Sequence, residues 1–521
     1  MKSTVSSFGI LYLVTVAVFA VSVTEAAMVD LLPKPGKVVS RDGAYLLKAK
    51  EVNAECLSVG RDATLPKEGY RLTVTEKGIS AVSADNAGVF YALQTLRQLA
   101  VPAGKGVFAV PYVEITDGPQ YAWRGVMLDD ARHFLGKETV KKTLDLMGQY
   151  KLNVFHWHLV DDQGWRLEIK SHPELVEYGA VRPESVGFAE NPVFVRGEGM
   201  RYRLNGEKYG PFFYTQDDVR EIIAYAAERH ITVVPEIEIP GHVRALLAAR
   251  PDLGCRGNEL ERIPRVVWGI EKDVLCAGND DTIKFMEEIL DEVCALFPSQ
   301  IIHIGGDECP KDRWKACPKC QMRKKSLGIA DERGLQAWMT THFAKYLGKK
   351  GKRAVGWDEV LYGDVPKNVI GMSWRMPDTT GKVRKEFVSA AQAVGKGFDV
   401  VMTPNGFCYY SYRQSIPDDP YPYYSVGAPI PLDKAYSFDP MADLPDSARV
   451  HVLGGQAGVW TESIWNRYDL EWKMWPRTFA MAEILWSAPP MPRDYLDFRR
   501  RAITHRRRLI AQNVNCSPIV D

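Results

Sequence analysis

Excess charge of either sign is missing. Sixty-six Lys and Arg stand against 65 Asp and Glu, for a net charge of +1. There is no basic surplus to neutralise phosphates, so nucleic acid is not an expected partner. Also missing is an apolar run of the ~20 residues that a membrane-spanning helix needs. The long apolar stretch from Phe8 to Val23 is shorter than that. With Lys2 ahead of it and Thr24-Glu25-Ala26-Ala27 behind it, it reads as an export signal over residues 1–27. That reading places the mature chain in the periplasm or outside the cell, without stable membrane insertion; an uncleaved anchor is the alternative. No Cys stands near the cleavage region, which argues against a lipid-modified mature N-terminus. A Gly-x-Gly-x-x-Gly turn between strand and helix is absent too, so a dinucleotide cofactor has no support.

Cysteine is sparse and odd in number: nine residues leave at least one unpaired. Export permits disulfides, and Cys255 and Cys276, flanking one loop, are the expected bridge. Cys309, Cys317 and Cys320 fall close together. Cys317-Pro318-Lys319-Cys320 has the spacing of half a zinc site. No second pair at such spacing follows, so a local disulfide or free thiols are expected there rather than a metal, and no cofactor is expected.

What is present is enough for several units. The 521 residues are 46% apolar and 25% charged, the balance of a soluble protein with a large core. Residues 28–118 read as a small α+β domain. Tyr70–Thr75 alternates like a half-buried strand, and Ala87–Leu99 carries apolar residues at helical spacing behind Asp85 or Asn86 as cap. Asp117-Gly118-Pro119 is a turn and a boundary. From there to residue 486 strand-like and helix-like runs alternate. The strands expected are Gly125–Leu128, Asn153–Leu159, Thr232–Glu236, Ile301–Gly305, Arg353–Gly356, Val369–Trp374, Asp399–Thr403 and His451–Gly455. Helices are expected at Lys137–Tyr150, Thr215–Arg229, Thr282–Leu296, Arg333–Lys349, Val383–Val394 and Arg477–Trp486, with too little chain between the fifth and sixth strands for one. That rhythm points to an α/β fold, a (β/α)8 TIM barrel, with a doubly wound sheet as the alternative. Gly187 to Pro211 reads as a long irregular loop. Residues 487–521, with Arg499-Arg500-Arg501 and Arg506-Arg507-Arg508, read as a helical tail on the barrel with a solvated basic face.

Chemistry in a barrel sits where strands end, and the expected strand ends are polar almost without exception. The fourth is the most telling: Ile301-Ile302-His303-Ile304-Gly305-Gly306-Asp307-Glu308. Neighbouring side chains on a strand point to opposite faces, so Asp307 and Glu308 serve one site only if the backbone bends, which Gly305-Gly306 permits. The other ends supply Asp129-Asp130-Ala131-Arg132-His133, His156-Trp157-His158 with Asp161-Asp162-Gln163, Glu236, Glu238 and His242, Trp357-Asp358-Glu359, Trp374-Arg375, Tyr409 and Trp460-Thr461-Glu462. Thirteen Trp and 23 Tyr serve mostly the core, but flat rings also stack on sugar rings.

These motifs, in this order, resemble glycoside hydrolase family 20, the β-N-acetylhexosaminidases, from about Leu31 to Trp486. The resemblance implies a retaining, exo-acting, substrate-assisted mechanism in which the 2-acetamido oxygen of the sugar attacks the anomeric carbon and forms an oxazolinium ion. It makes Glu308 the general acid, with its pKa raised, and Asp307 the ionised partner of the acetamido N–H. Asp161 and His242 become a hydrogen-bonded pair supporting the acid. Arg132 and Glu462 hold outer hydroxyls, Trp357, Trp374 and Trp460 form aromatic walls, and Tyr409 bonds the acetamido oxygen. Ser411 departs from the pattern, standing where many members have an Asp that contacts the 4- and 6-hydroxyls. With Arg413 close by, that exchange implies tolerance of, or preference for, 6-sulfated N-acetylglucosamine, since a carboxylate beside a sulfate costs roughly 4 kcal/mol at an effective dielectric of 20. The alternatives are a plain hexosaminidase, a disaccharide-releasing enzyme, a metal-dependent hydrolase using His156 and His158, and a non-catalytic sugar-binding protein. The expected partner is a glycan; oligomeric state is not legible.

Overall fold

The computed structural model describes residues 30–186, 193–195, 199–201, 204–376, 387–416, 427–487 and 493–520. The expected export segment lies outside them, as do residues 383–386 of an expected helix and part of the expected loop 187–211.

Eight strands close into a parallel barrel: β1 (Trp123–Asp129), β2 (Val154–His158), β3 (Thr232–Glu236), β4 (Ile301–His303), β5 (Arg353–Trp357), β6 (Ile370–Ser373), β7 (Val400–Met402) and β8 (Val452–Val459). Closure is made by β8 against β1, with Gly454–Val459 opposite Trp123–Leu128, which settles the barrel over the doubly wound sheet. The strands are short and buried on both faces, so their sequences are apolar runs rather than alternations. Inward residues such as Trp123, Met127, Val234, Val355, Ile370 and Met372 pack together and fill the bore. Outward residues such as Val126, Phe155, Val233 and Ile302 join the helices in a second, larger core.

The helices begin where caps permit. Thr215 and Asp218 form a capping box ahead of Gln216–Ala227, Asn279 caps Asp280–Leu296 and Asp331 caps Glu332–Lys349; each cap contributes about 1 kcal/mol. Between β5 and β6 there is only a 3-10 turn, Asp358–Leu361, as the short spacing implied. Strand β8 runs four residues past the expected Gly455. Within it, Gly454 lies where a Cβ would be 1.9 Å from the Trp123 carbonyl oxygen. Close backbone approach to β1 requires glycine there and outweighs its poor strand propensity.

Before the barrel, a six-stranded sheet carries the helix Asn86–Leu99. Asp85, one of the two expected caps, accepts from the Gly88 N–H at 2.8 Å. Leu72, Val74 and Ile115 pack on Tyr91, Leu96 and Leu99, and Trp486 from the last barrel helix completes that core. The seam between sheet and barrel is a buried polar knot. Lys151 Nζ donates to Asp117 and to Tyr70, both at 2.9 Å, and the Trp486 indole donates to Asp117 at 2.9 Å. The tail forms the helix Tyr495–Ala511. Its expected solvated face is only partly so: Arg501 is buried and donates to Glu483 at 2.7 Å.

The expected Cys255–Cys276 bridge is not formed. All nine cysteines are thiols, and Cys255, Cys276, Cys317 and Cys320 gather in one cluster. Free thiols are one of the two outcomes expected for Cys317 and Cys320; their meeting with Cys255 and Cys276 was not legible, because folding joins two loops that sequence spacing keeps apart.

Candidate active site

Strand β4 ends at His303, and the chain then turns sharply. Gly305 and Gly306 have φ of 60° and 98°. A Cβ on Gly305 would lie 1.8 Å from Glu238 Oε2, and one on Gly306 2.5 Å from Val360 Cγ1. Both positions therefore demand glycine on conformation and on space. The bend brings the adjacent carboxylates to one group: His242 Nε2 is 3.6 Å from Asp307 Oδ2 and 3.6 Å from Glu308 Oε2. His242 and Glu308 themselves take left-handed backbone, at φ of 51° and 43°, a strain of about 1–3 kcal/mol each of the kind that clusters at functional sites.

Behind His242 stand two acids. Its Nδ1 is 3.1 Å from Asp162 Oδ2 and 3.4 Å from Asp161 Oδ1. Asp162, not the expected Asp161, is the nearer partner. Asp161 is engaged elsewhere, with Arg132 Nη2 at 2.7 Å and His158 Nε2 at 2.9 Å. Arg132 is also held by Asp129 Oδ2 at 3.2 Å and by Gln163 Oε1 at 3.0 Å, and lies 5.0 Å over the Trp460 ring. Asp129 and Asp162 are thus site residues that the motif reading quoted without a role. A carboxylate buried beside a functional cation was the available signal, but only the fold says which of two adjacent aspartates faces it.

The charge distribution differs from expectation. Burial pushes the Glu308 carboxyl up, but the His242 hydrogen bond and charge, with Arg375 and Arg132, pull it below the usual range. Burial, with Glu359, Glu308 and Glu236 nearby, raises Asp307 to about 7 despite the opposing charge of His242. Burial opposes the His242 proton, yet Asp161 and Asp307 hold it well above the ordinary imidazole range. In the free site the proton expected on Glu308 therefore resides on the buried neighbour. Glu238, buried next to them, is kept neutral by its burial and by Asp307 and Glu236.

Aromatic side chains wall the space above. Trp374 and Tyr409 are parallel within 10° at 6.2 Å, Tyr409 and Trp460 are 6.0 Å apart, and Trp357 and Trp460 5.6 Å. Two of the three Trp are anchored through their indoles. Trp357 Nε1 donates to Glu236 at 2.9 Å, and Trp374 Nε1 to Glu359 at 3.2 Å. Glu359 also accepts the Glu308 N–H at 3.1 Å and pairs with Arg375. Glu462 sits by Arg132, its carboxyl pushed up by burial. A cleft of about 330 Å³ runs from Glu308 past Lys311, Arg333, Tyr362 and Arg375. Ser411 is half-buried and Arg413 exposed.

Beneath Trp357, Glu236 gathers three imidazoles: His158 Nδ1 at 2.5 Å, His303 Nδ1 at 2.8 Å and His156 Nε2 at 3.0 Å. Glu236 and Asp161 hold a proton on His158, raising it to about 10 against its burial; burial and His303 lower His156 to about 4. His156, His158, His303 and Glu236 are all fully buried, whereas a catalytic metal keeps a position open to substrate.

The model of the catalytic domain of glycosyl hydrolase family 20 matches residues 121–489, and that of the family's domain 2 matches residues 48–118. The chain belongs to glycosyl hydrolase family 20. It is a glycoside hydrolase. A β-hexosaminidase of Porphyromonas gingivalis is 41% identical over 87% of this chain; the match spans 55% of that protein's length. A β-hexosaminidase of Akkermansia muciniphila is 32% identical over 94% of this chain and 92% of its own. Among solved structures, the exo β-N-acetylglucosaminidase of Vibrio harveyi in complex with N-acetylglucosamine superposes with a TM-score of 0.80 at 31% identity, over 95% of this chain and 79% of that one.

Proposed function

We propose that this family 20 hydrolase is an exo-acting, retaining β-N-acetylhexosaminidase that removes terminal β-linked N-acetylglucosamine from glycans by substrate-assisted catalysis. The observation that carries the reading is the triangle of His242, Asp307 and Glu308 with an acceptor to spare: Asp307 Oδ1 is buried and has no hydrogen-bond partner. A buried acceptor left unmade costs about 1–3 kcal/mol. The acetamido N–H of the substrate satisfies it, and in doing so requires Asp307 to ionise. Its proton then belongs on Glu308, 3.6 Å from the same imidazole, where a general acid is needed. Tyr409 orients the acetamido oxygen, the Trp357–Trp374–Trp460 walls exclude water, and Arg132 with Glu462 grips the outer hydroxyls. Glu308 protonates the leaving oxygen, then activates water as the oxazolinium opens.

The deciding experiment is paired. Anomeric configuration of the first product, followed by NMR, is expected to be retained. Glycosides lacking the N-acyl group are expected to be cleaved at least a thousandfold more slowly; equal rates would end the substrate-assisted reading.

Acceptance of a 6-sulfate is the finer part of the proposal. It rests on Ser411 in place of a carboxylate, with the exposed Arg413 two residues on. Comparison of 4-nitrophenyl N-acetylglucosaminide with and without the 6-sulfate tests it, and Ser411→Asp is expected to depress the sulfated rate selectively. A strong preference for the unsulfated sugar would discard it. Export is proposed with it, on the Phe8–Val23 stretch; sequencing the N-terminus of the mature protein checks for removal of residues 1–27.

A further inference from the structure

Cys255, Cys276, Cys317 and Cys320 place four sulfurs within 4.8 Å of one another. Cys255 and Cys320 are 3.7 Å apart, Cys276 and Cys317 3.8 Å, and Cys276 and Cys320 3.6 Å. A disulfide brings two sulfurs to about 2.05 Å and leaves other pairs far longer. Four sulfurs at about 2.3 Å from a central zinc stand ~3.8 Å apart along every edge of the tetrahedron. The three near-equal separations follow the second pattern. We propose that these four residues form a tetrathiolate site for one structural zinc ion. Zinc takes the place of the thiol protons, which leave to solvent, and no position remains open for substrate.

The surrounding chain is built to hold this shape. The antiparallel bridge between Gly254 and Leu275 joins the two segments that carry Cys255 and Cys276, and the Cys276 N–H donates to the Leu253 carbonyl at 2.8 Å. Cys317 stands at the start of the helix Pro318–Ser326, with Cys320 in its first turn. The two halves press together at Gly278, where a Cβ would be 2.1 Å from the Lys319 carbonyl carbon and 2.3 Å from the Cys320 nitrogen. Two more links cross the same seam: Trp314 Nε1 donates to the Leu275 carbonyl at 2.8 Å, and Arg313 pairs with Asp273 at 2.6 Å. Cys276, Cys317 and Cys320 are buried and Cys255 half-buried.

The metal would staple the loop after β3 to the helices after β4, and that loop is a wall of the active site. The Arg265 N–H donates to the Asp162 carbonyl at 2.9 Å. The Val267 carbonyl accepts from Gln163 at 2.8 Å, the residue whose other amide atom holds Arg132 Nε. Trp268 meets His133 edge-on at 5.4 Å. Zinc here acts as a positioning device for Arg132, remote from the reacting atoms.

The test begins with the untagged wild-type protein purified without added metal. Elemental analysis is expected to find one zinc per chain. Thiol titration under native conditions is expected to find these four sulfurs protected until the chain is unfolded with a chelator. Cobalt substitution is expected to give thiolate-to-metal charge-transfer bands and the visible bands of a tetrahedral ion. Cys276→Ser and Cys320→Ser are expected to lose the metal, melt at lower temperature and raise KM several-fold more than they lower kcat, whereas Cys56→Ser keeps full metal content. Four freely titrating thiols without metal would overturn the proposal, as would a mass lighter by two hydrogens per bridge or iron in place of zinc. The wild-type measurements decide even if the serine variants fail to fold.

Discussion

At the scale of single residues, the site is a problem of where one proton sits. In the free site Asp307, raised to about 7, is the group that holds it and gives it up as pH rises. Above that point both carboxyls are charged and no acid remains. kcat/KM for an unactivated substrate is therefore expected to fall about tenfold per pH unit above pH 7. On the acid side it holds until a second proton adds at the depressed Glu308, below its ordinary range. A profile flat to pH 9 would contradict this. Glu308→Gln is expected to cost about 10²–10⁴-fold on chitobiose-type leaving groups and much less on activated aryl glycosides, because general acid catalysis is worth that much only where the leaving group needs a proton. Equal losses on both would remove Glu308 from the acid role. Asp162→Asn is expected to lower kcat and to displace the alkaline limb, because His242 loses an anionic partner and its charge acts on Asp307; an unchanged profile would leave Asp161 as the working partner. The paired carboxylates were legible in the sequence because two glycines precede them. The location of their proton was not, since it depends on His242, Arg375 and Glu359, which arrive from three other loops.

At the scale of elements, the turn after β4 bears the largest local demand. Gly305→Ala sets a methyl against Glu238 and a side chain on left-handed backbone. It is expected to destabilise the protein by about 1–3 kcal/mol and to cut activity by more than that alone would, which parallel melting and kinetics would separate. Strand positions were readable from apolar runs, and the start of the small domain's helix from Asp85 as one of its two candidate caps. The full length of β8 was not, because Gln456–Val459 shows itself as strand only once it is seen paired with Gly125–Leu128 of β1. Nor was the cysteine cluster, where each loop contributes only part of the pattern.

At the scale of the whole molecule, the small domain and the barrel unfold as partners if the Lys151–Asp117–Tyr70–Trp486 knot is as costly to break as its burial implies. Lys151→Met leaves the Asp117 charge buried without its cation and is expected to destabilise by about 3–5 kcal/mol. The whole melting transition would shift; an early transition for the small domain alone would show the two to be independent. The alternation of strands and helices announced the barrel, but the tail arginines read as solvated and Lys151 drew no reading, whereas Arg501 and Lys151 are interior ties. Only their partners, Asp117 and Glu483, distinguish them from surface charges.

The floor beneath Trp357 has one more result. The Glu236–imidazole cluster and the valines, isoleucine and methionines below it leave the bore stoppered. On the exo-acting reading proposed above, a carbohydrate chain enters tip-first through the doorway on the loop side, and the detached monosaccharide backs out by the same route before the next chain can approach. The enzyme lets go after every cut, and free N-acetylglucosamine is expected to compete with substrate for that doorway.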